Sequence, residues 1–94
     1  MIASFACRRT ERLFTTGKAT GFSKAIESVA KRKLTMVHVA KKLDDLRIPP
    51  GNRLEALKGS RNGQHSIRIN QQYRLCFRFI GGKAEDVGIV DYHD

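Results

Sequence analysis

An α+β fold, a small antiparallel β-sheet packed against N-terminal helices, is the expectation for these 94 residues, and three observations carry it. Apolar positions recur at helical spacing over residues 23–43, at Ile26, Val29, Ala30, Leu34, Val37, Ala40 and Leu43. Pro49-Pro50-Gly51 then ends that pattern, because consecutive prolines remove backbone donors and glycine permits a sharp turn. Beyond it come four short strand-like runs, residues 53–57, 65–70, 73–80 and 86–91, divided by Gly- and Asn-containing turns. Helices first and a strand meander second make the α+β class.

Residues 2–6 are short and partly apolar, which predicts a first strand joining the sheet. Residues 10–15 predict a short helix presenting Leu13 and Phe14, with Gly17 as its stop and residues 16–21 as connector. Ser23 suits the N-cap of the main helix, which would be roughly 30 Å long at 1.5 Å per residue. Residues 44–52 read as loop. In the third run Tyr73, Leu75, Phe77 and Phe79 share one face, and Arg74, Cys76 and Arg78 take the other. Ile67 and Ile69 likewise oppose Ser66, Arg68 and Asn70, so a short turn at Gln71-Gln72 would set Arg68 and Arg74 on neighbouring strands of one water-facing surface.

The length allows one domain, residues 1–94, with one modest core and little room for a cofactor domain. Eighteen Lys and Arg against nine Asp and Glu give a formal net charge of +9, which attracts polyanions and makes nucleic acid the first partner to consider. The excess is localised: residues 47–83 hold eight basic side chains and one acid, Glu55, while residues 84–94 hold four acids and no Lys or Arg. Cys7 and Cys76 read as two reduced thiols, since two distant cysteines make no disulfide framework. No run approaches membrane-spanning length and no secretory leader is evident, so a cytoplasmic protein without membrane partners is expected.

RNA can be cut without metal when a 2′-hydroxyl attacks the adjacent phosphate. That chemistry needs a proton acceptor, cations facing the phosphorane, and a proton donor for the leaving oxygen. Arg68 and Arg74 offer forked donors, Lys58 a compact charge, and Arg61 and Arg78 further phosphate contacts. His93, beside Asp91 and Tyr92, can donate or accept a proton, and Tyr92 can stack on a base or donate a hydrogen bond. Glu55 can act as base or simply pair with Lys58 or Arg53. His38 is expected to be structural, and His65 a strand-edge residue or RNA contact. No zinc-finger or His-Glu-x-x-His spacing, phosphate loop, Rossmann fingerprint or serine-nucleophile motif is present, so neither metal nor cofactor is expected.

Four segments taken in order, Leu54-Glu55-Ala56-Leu57-Lys58-Gly59, Gly63-Gln64-His65-Ser66-Ile67-Arg68-Ile69-Asn70, Tyr73-Arg74-Leu75-Cys76-Phe77 and Asp91-Tyr92-His93, resemble the HigB-type killer proteins of the RelE/ParE toxin superfamily. The resemblance implies a RelE-like fold and a toxin that cuts mRNA in the ribosomal A site, held inactive by a HigA-type antitoxin. It also implies operator DNA binding only through the antitoxin complex. By position, Lys58 and Arg74 match basic active-site positions and Asp91, Tyr92 and His93 match the terminal catalytic segment. Glu55 stands where some relatives have a catalytic histidine, leaving Tyr92, Glu55 and His93 as alternative bases. Two competing functions remain from the sequence: a non-catalytic nucleic-acid-binding module and a ParE-like gyrase-targeting toxin.

Overall fold

The computed structural model describes residues 1–92. Helix α1 spans Arg8–Thr16 and ends at Gly17, whose φ of +81° is the left-handed conformation that glycine adopts without strain; its N–H closes the helix onto the Leu13 carbonyl. Helix α2 spans Lys24–Val39, about 24 Å, and its first turn is capped by the Ser23 hydroxyl accepting from the Ile26 N–H. Its last residue is Val39, four residues short of the periodic pattern's reach to Leu43. The reason is local competition: the Asp45 carboxylate accepts from the N–H groups of Lys41 and Lys42 and draws the chain into a 3₁₀ turn at Leu43–Arg47. The expected loop is therefore structured, with a second 3₁₀ turn at Pro50–Asn52 after a cis Ile48–Pro49 bond.

Four strands follow: β1 (Glu55–Ala56), β2 (His65–Arg68), β3 (Tyr73–Ile80) and β4 (Lys83–Asp91), with a 3₁₀ turn at Gly59–Arg61 between the first two. They form an antiparallel meander in the order β1-β2-β3-β4. β1 is shorter than the sequence suggests and β4 begins earlier, at Lys83. β4 carries a bulge, in which Asp86 (φ +53°) and Val87 together oppose Phe77. The N-terminal segment joins β4 by two isolated parallel bridges, Ile2 to Ala84 and Phe5 to Val87, rather than as a regular strand.

The two helices cover one face of the sheet. Leu13, Ala30, Leu34 and Val37 bury against Ile67, Leu75, Phe77 and Val87, all fully buried, with Tyr73 and Phe79 packed at the edge of this core. The alternation read from β3 is thus realised: its aromatic face is the core face, and Arg74, Cys76 and Arg78 are left for the opposite side. Burying Phe77 alone contributes about 1.5–3 kcal/mol. His38, in α2, accepts from the Ile2 N–H and packs against Phe14, so it ties the N-terminal segment to the core. No described helix is long and apolar enough to cross a membrane.

Candidate active site

The helix-free face of the sheet carries an open cleft of about 380 Å³ lined by Arg53, Glu55, Arg68, Asn70, Gln71, Arg74 and Tyr92. Its centre is the β2–β3 hairpin. Arg68 and Arg74 are register partners across the two strands, so their side chains leave the sheet side by side. The Asn70 carboxamide fixes this register by accepting from the N–H groups of Gln72 and Tyr73. Two like charges facing each other cost up to about 1 kcal/mol. A shared anion removes that cost.

Arg74 is the best-anchored cation. Its Nε donates to the Ser66 hydroxyl (2.7 Å), its Nη2 donates to the Arg53 carbonyl (2.6 Å), and the Glu55 carboxylate lies 3.9 Å away. The Arg74 side chain is only 12% exposed against 59% for Glu55, so the guanidinium is held by the fold while the carboxylate is free to meet solvent. The Arg53 carbonyl is placed by an unusual backbone, with φ +46° and ψ +57°. That conformation follows directly on Asn52, a fully buried side chain that donates to the Leu46 and Ile48 carbonyls and accepts from the ammonium of Lys33 on α2. Burial lowers the pKa of Lys33, with the charge of Arg32 adding to the effect. A polar clamp on the core side thereby sets an acceptor on the cleft side.

Tyr92 leaves the end of β4 beside Arg74, its N–H bonded to the Gln72 carbonyl and its hydroxyl 3.9 Å from the Cys76 sulfur. Desolvation pushes both groups up: the Cys76 thiol against the opposing effects of the Tyr92 hydroxyl, Arg61 and Arg74, and the Tyr92 phenol with a further rise from Cys76. Both stay protonated at neutral pH. Cys76 therefore packs as a buried thiol under the cleft, and Tyr92 offers a hydroxyl donor and an exposed ring edge.

Residues 3–93 match the family model of HigB-like toxins, described as RelE-like toxin of type II toxin-antitoxin system HigB. The chain belongs to this family. It is 50% identical over 60 residues to Toxin HigB-1 of Vibrio cholerae, a match covering 64% of this chain and 63% of that protein. An uncharacterized protein of Haemophilus influenzae is 45% identical over 59 residues, covering 63% of this chain and 58% of that one. Endoribonuclease HigB of Proteus vulgaris aligns end to end, at 31% identity over 97 residues with 99% of this chain and 100% of that protein covered. Among solved structures, the YoeB-YefM complex from Staphylococcus aureus contains a chain of the same fold, with a TM-score of 0.63 at 15% identity over 100% of this chain and 99% of that one. The RelE-like fold expected from the sequence is the fold observed.

In this HigB-like toxin the sequence-derived site residues divide into two groups. Glu55, Arg68, Arg74 and Tyr92 meet in the cleft. Arg61 borders it from behind: half-buried, it donates to Gln64, and its charge acts on Cys76 and Tyr92. Lys58 lies at the start of the Gly59–Arg61 turn, exposed and outside the cleft lining. Arg78 shares the face of Arg74 but sits further along β3, 3.6 Å from Asp86 and packed against Gly63, where a Cβ would fall 2.7 Å from its guanidinium. Asp91 pairs in register with Tyr73, which places it on the helix side of β4, where its carboxylate accepts from Gln72. His93 lies outside the described residues. His65 is on the helix side as well, its Nδ1 buried without a hydrogen-bond partner among the described residues.

The cleft also contains residues that the sequence reading did not single out as site residues. Arg53 opens the strand-like run 53–57, and Ser66 and Asn70 read as strand residues. Arg74 reaches the Ser66 hydroxyl beneath the cleft and the Arg53 carbonyl at its edge, while Asn70 lines the cleft at the turn whose N–H groups it accepts from. Among the described residues no group of three or more His, Cys, Asp or Glu is arranged to hold a metal ion.

Proposed function

We propose that this HigB-like toxin is a metal-independent endoribonuclease that cuts mRNA in the ribosomal A site and thereby stops translation in the cytoplasm. The observation that carries the reading is the registered pair Arg68 and Arg74, opening with Arg53, Glu55 and Tyr92 into one cleft. A phosphate seated between the two guanidinium groups meets forked donors, that of Arg74 held in place before it arrives. The 2′-oxygen then forms its bond to phosphorus as the bond to the 5′-oxygen breaks, leaving a 2′,3′-cyclic phosphate and a 5′-hydroxyl. Arg68 and Arg74 stabilise the charge of the phosphorane. Glu55, the exposed carboxylate of the cleft, takes the 2′-hydroxyl proton, and the Tyr92 hydroxyl or His93 supplies one to the leaving oxygen. Lys58, Arg61 and Arg78 extend the positive surface along the RNA, and Asp91 steadies Tyr92 through the Gln72 bond.

The name of the full-length relative, Endoribonuclease HigB, supports the activity. The solved YoeB-YefM complexes support a protein antitoxin as partner, here of the HigA type, with operator DNA contacted through the antitoxin. Primer extension on a defined mRNA in a purified translation system, with and without ribosomes, tests this. Wild-type protein should give ribosome-dependent cuts, and both Arg74→Ala and His93→Gln should abolish them with the fold retained. Folded wild-type protein that makes no cuts would overturn the reading. Salt-dependent RNA binding alone would then identify a binding module, and inhibition of gyrase supercoiling a ParE-like toxin.

A further inference from the structure

A second concavity lies on the helix side of the molecule, between α1, the α1–α2 connector and the start of α2, with a volume of about 820 Å³. It shares no lining residue with the cleft. Five cations stand around it, Arg8, Arg9, Arg12, Lys18 and Lys24, all exposed, and none forms an ion pair with the described residues. Its one acid, Glu27, is already committed to the Ala19 N–H. The floor between the cations is apolar, formed by Ala19, Phe22 and the aliphatic stems of the basic side chains.

Both RNA and an acidic protein would neutralise such a rim, and the floor distinguishes them. A phosphate backbone satisfies cations but leaves an apolar floor uncovered; bases cover it only by stacking on an open aromatic face. Phe22 is poorly placed to offer one: the Arg9 guanidinium lies 4.1 Å over its ring, and Tyr73 meets it edge-on at 5.5 Å. Gly21 lets Arg9 lie there, since a Cβ would fall 2.8 Å from its guanidinium. An amphipathic polypeptide with acidic residues flanking a small apolar anchor satisfies rim and floor together.

We propose that the α1–α2 groove docks an acidic amphipathic segment of the antitoxin. The proposal rests on the antitoxin partnership inferred above and assigns it a surface distinct from the RNA-cutting cleft. It is tested by titrating the cognate antitoxin into the full chain at low and high salt. The variants are Arg12→Glu/Lys24→Glu in the groove and Arg68→Glu in the cleft, each checked for folding by near-ultraviolet circular dichroism. Arg12→Glu/Lys24→Glu should weaken antitoxin binding by about a hundredfold and flatten its salt dependence. The same variant should cut mRNA at the wild-type rate, and Arg68→Glu should bind antitoxin as wild type does. Unchanged affinity in the groove variant, or loss of affinity in Arg68→Glu instead, overturns the proposal. Loss of mRNA cleavage in the groove variant with antitoxin binding intact would make the groove an RNA site and equally overturn it. A wild-type protein that binds antitoxin but cuts no RNA would refute the nuclease reading and leave the groove result standing.

Discussion

Arg74 separates the contribution of charge from that of geometry. Its guanidinium spans the Ser66 hydroxyl and the Arg53 carbonyl while facing the cleft, a fork that a lysine ammonium cannot reproduce. Arg74→Lys should therefore slow single-turnover cleavage by about a hundredfold despite keeping the charge, and Arg74→Ala by at least as much. Quenched-flow cleavage of a ribosome-bound message measures both. Tyr92→Phe keeps the ring and removes the donor. Since desolvation holds the phenol protonated beyond its ordinary value of about 10, the wild-type pH profile should show no decline from Tyr92 ionisation between about pH 6 and about pH 9. Beneath it, the raised thiol pKa of Cys76 makes a claim about stability. Above the ordinary thiol value of about 9 the unfolded chain ionises first, so the stabilising difference present below that pH is lost as pH rises through the folded value. Urea midpoints measured across that range should fall more steeply for wild type than for Cys76→Val.

At the scale of elements, the decisive arrangement is the polar clamp between α2 and the turn before β1. Lys33, Asn52 and the carbonyls of Leu46 and Ile48 form a buried network under the segment that ends in the left-handed Arg53. Asn52→Ala strands the Lys33 ammonium without its side-chain acceptor and should cost roughly 3 kcal/mol, read as a drop in urea midpoint at unchanged slope. This clamp was illegible in the sequence, where Asn52 is one more turn residue and Lys33 belongs to a basic helix. Only the packed chain shows that helical periodicity turns Lys33 toward the core and that a partner 19 residues away receives it. The hairpin was the opposite case. Period-two alternation alone put Arg68 and Arg74 on one face, and the Asn70 turn sets the register that the sequence suggested. At the α2 terminus apolar spacing continues through Leu43, whereas the helix ends at Val39 because the Asp45 carboxylate competes for the N–H groups of Lys41 and Lys42. The N-terminal segment departs from the expected strand in form only: its apolar residues do reach β4, but through two separate parallel contacts.

For the molecule as a whole, size and charge decide how the two basic surfaces act. The body measures only 30 × 29 × 26 Å, yet the Debye length at physiological salt is about 8 Å. The fields of cleft and groove are therefore largely screened from one another, while the net charge of +9 favours encounter with a polyanion. A single-stranded RNA carrying a 2′-deoxy substitution at the cut site cannot react and reports binding alone. If Arg53, Arg68 and Arg74 each neutralise one phosphate, log affinity should fall against log salt with a slope of about −2, and Arg68→Ala should make it shallower by about 0.7. Fluorescence anisotropy across a salt series checks both values.

The parallel bridges at the start of the chain also bear on when the protein acquires its shape. Ile2 and Phe5 dock on Ala84 and Val87, and the α1 residue Thr10 accepts a buried hydrogen bond from the Ile89 N–H. Residues 2–10 thus wait for residues 84–89 before they have a place to rest. Tyr92, which closes the cleft, emerges later still. Until residues 84–92 are in place, the chain lacks both the seam between its N-terminal segment and β4 and the tyrosine wall of the cleft, so fold and cleft are completed together.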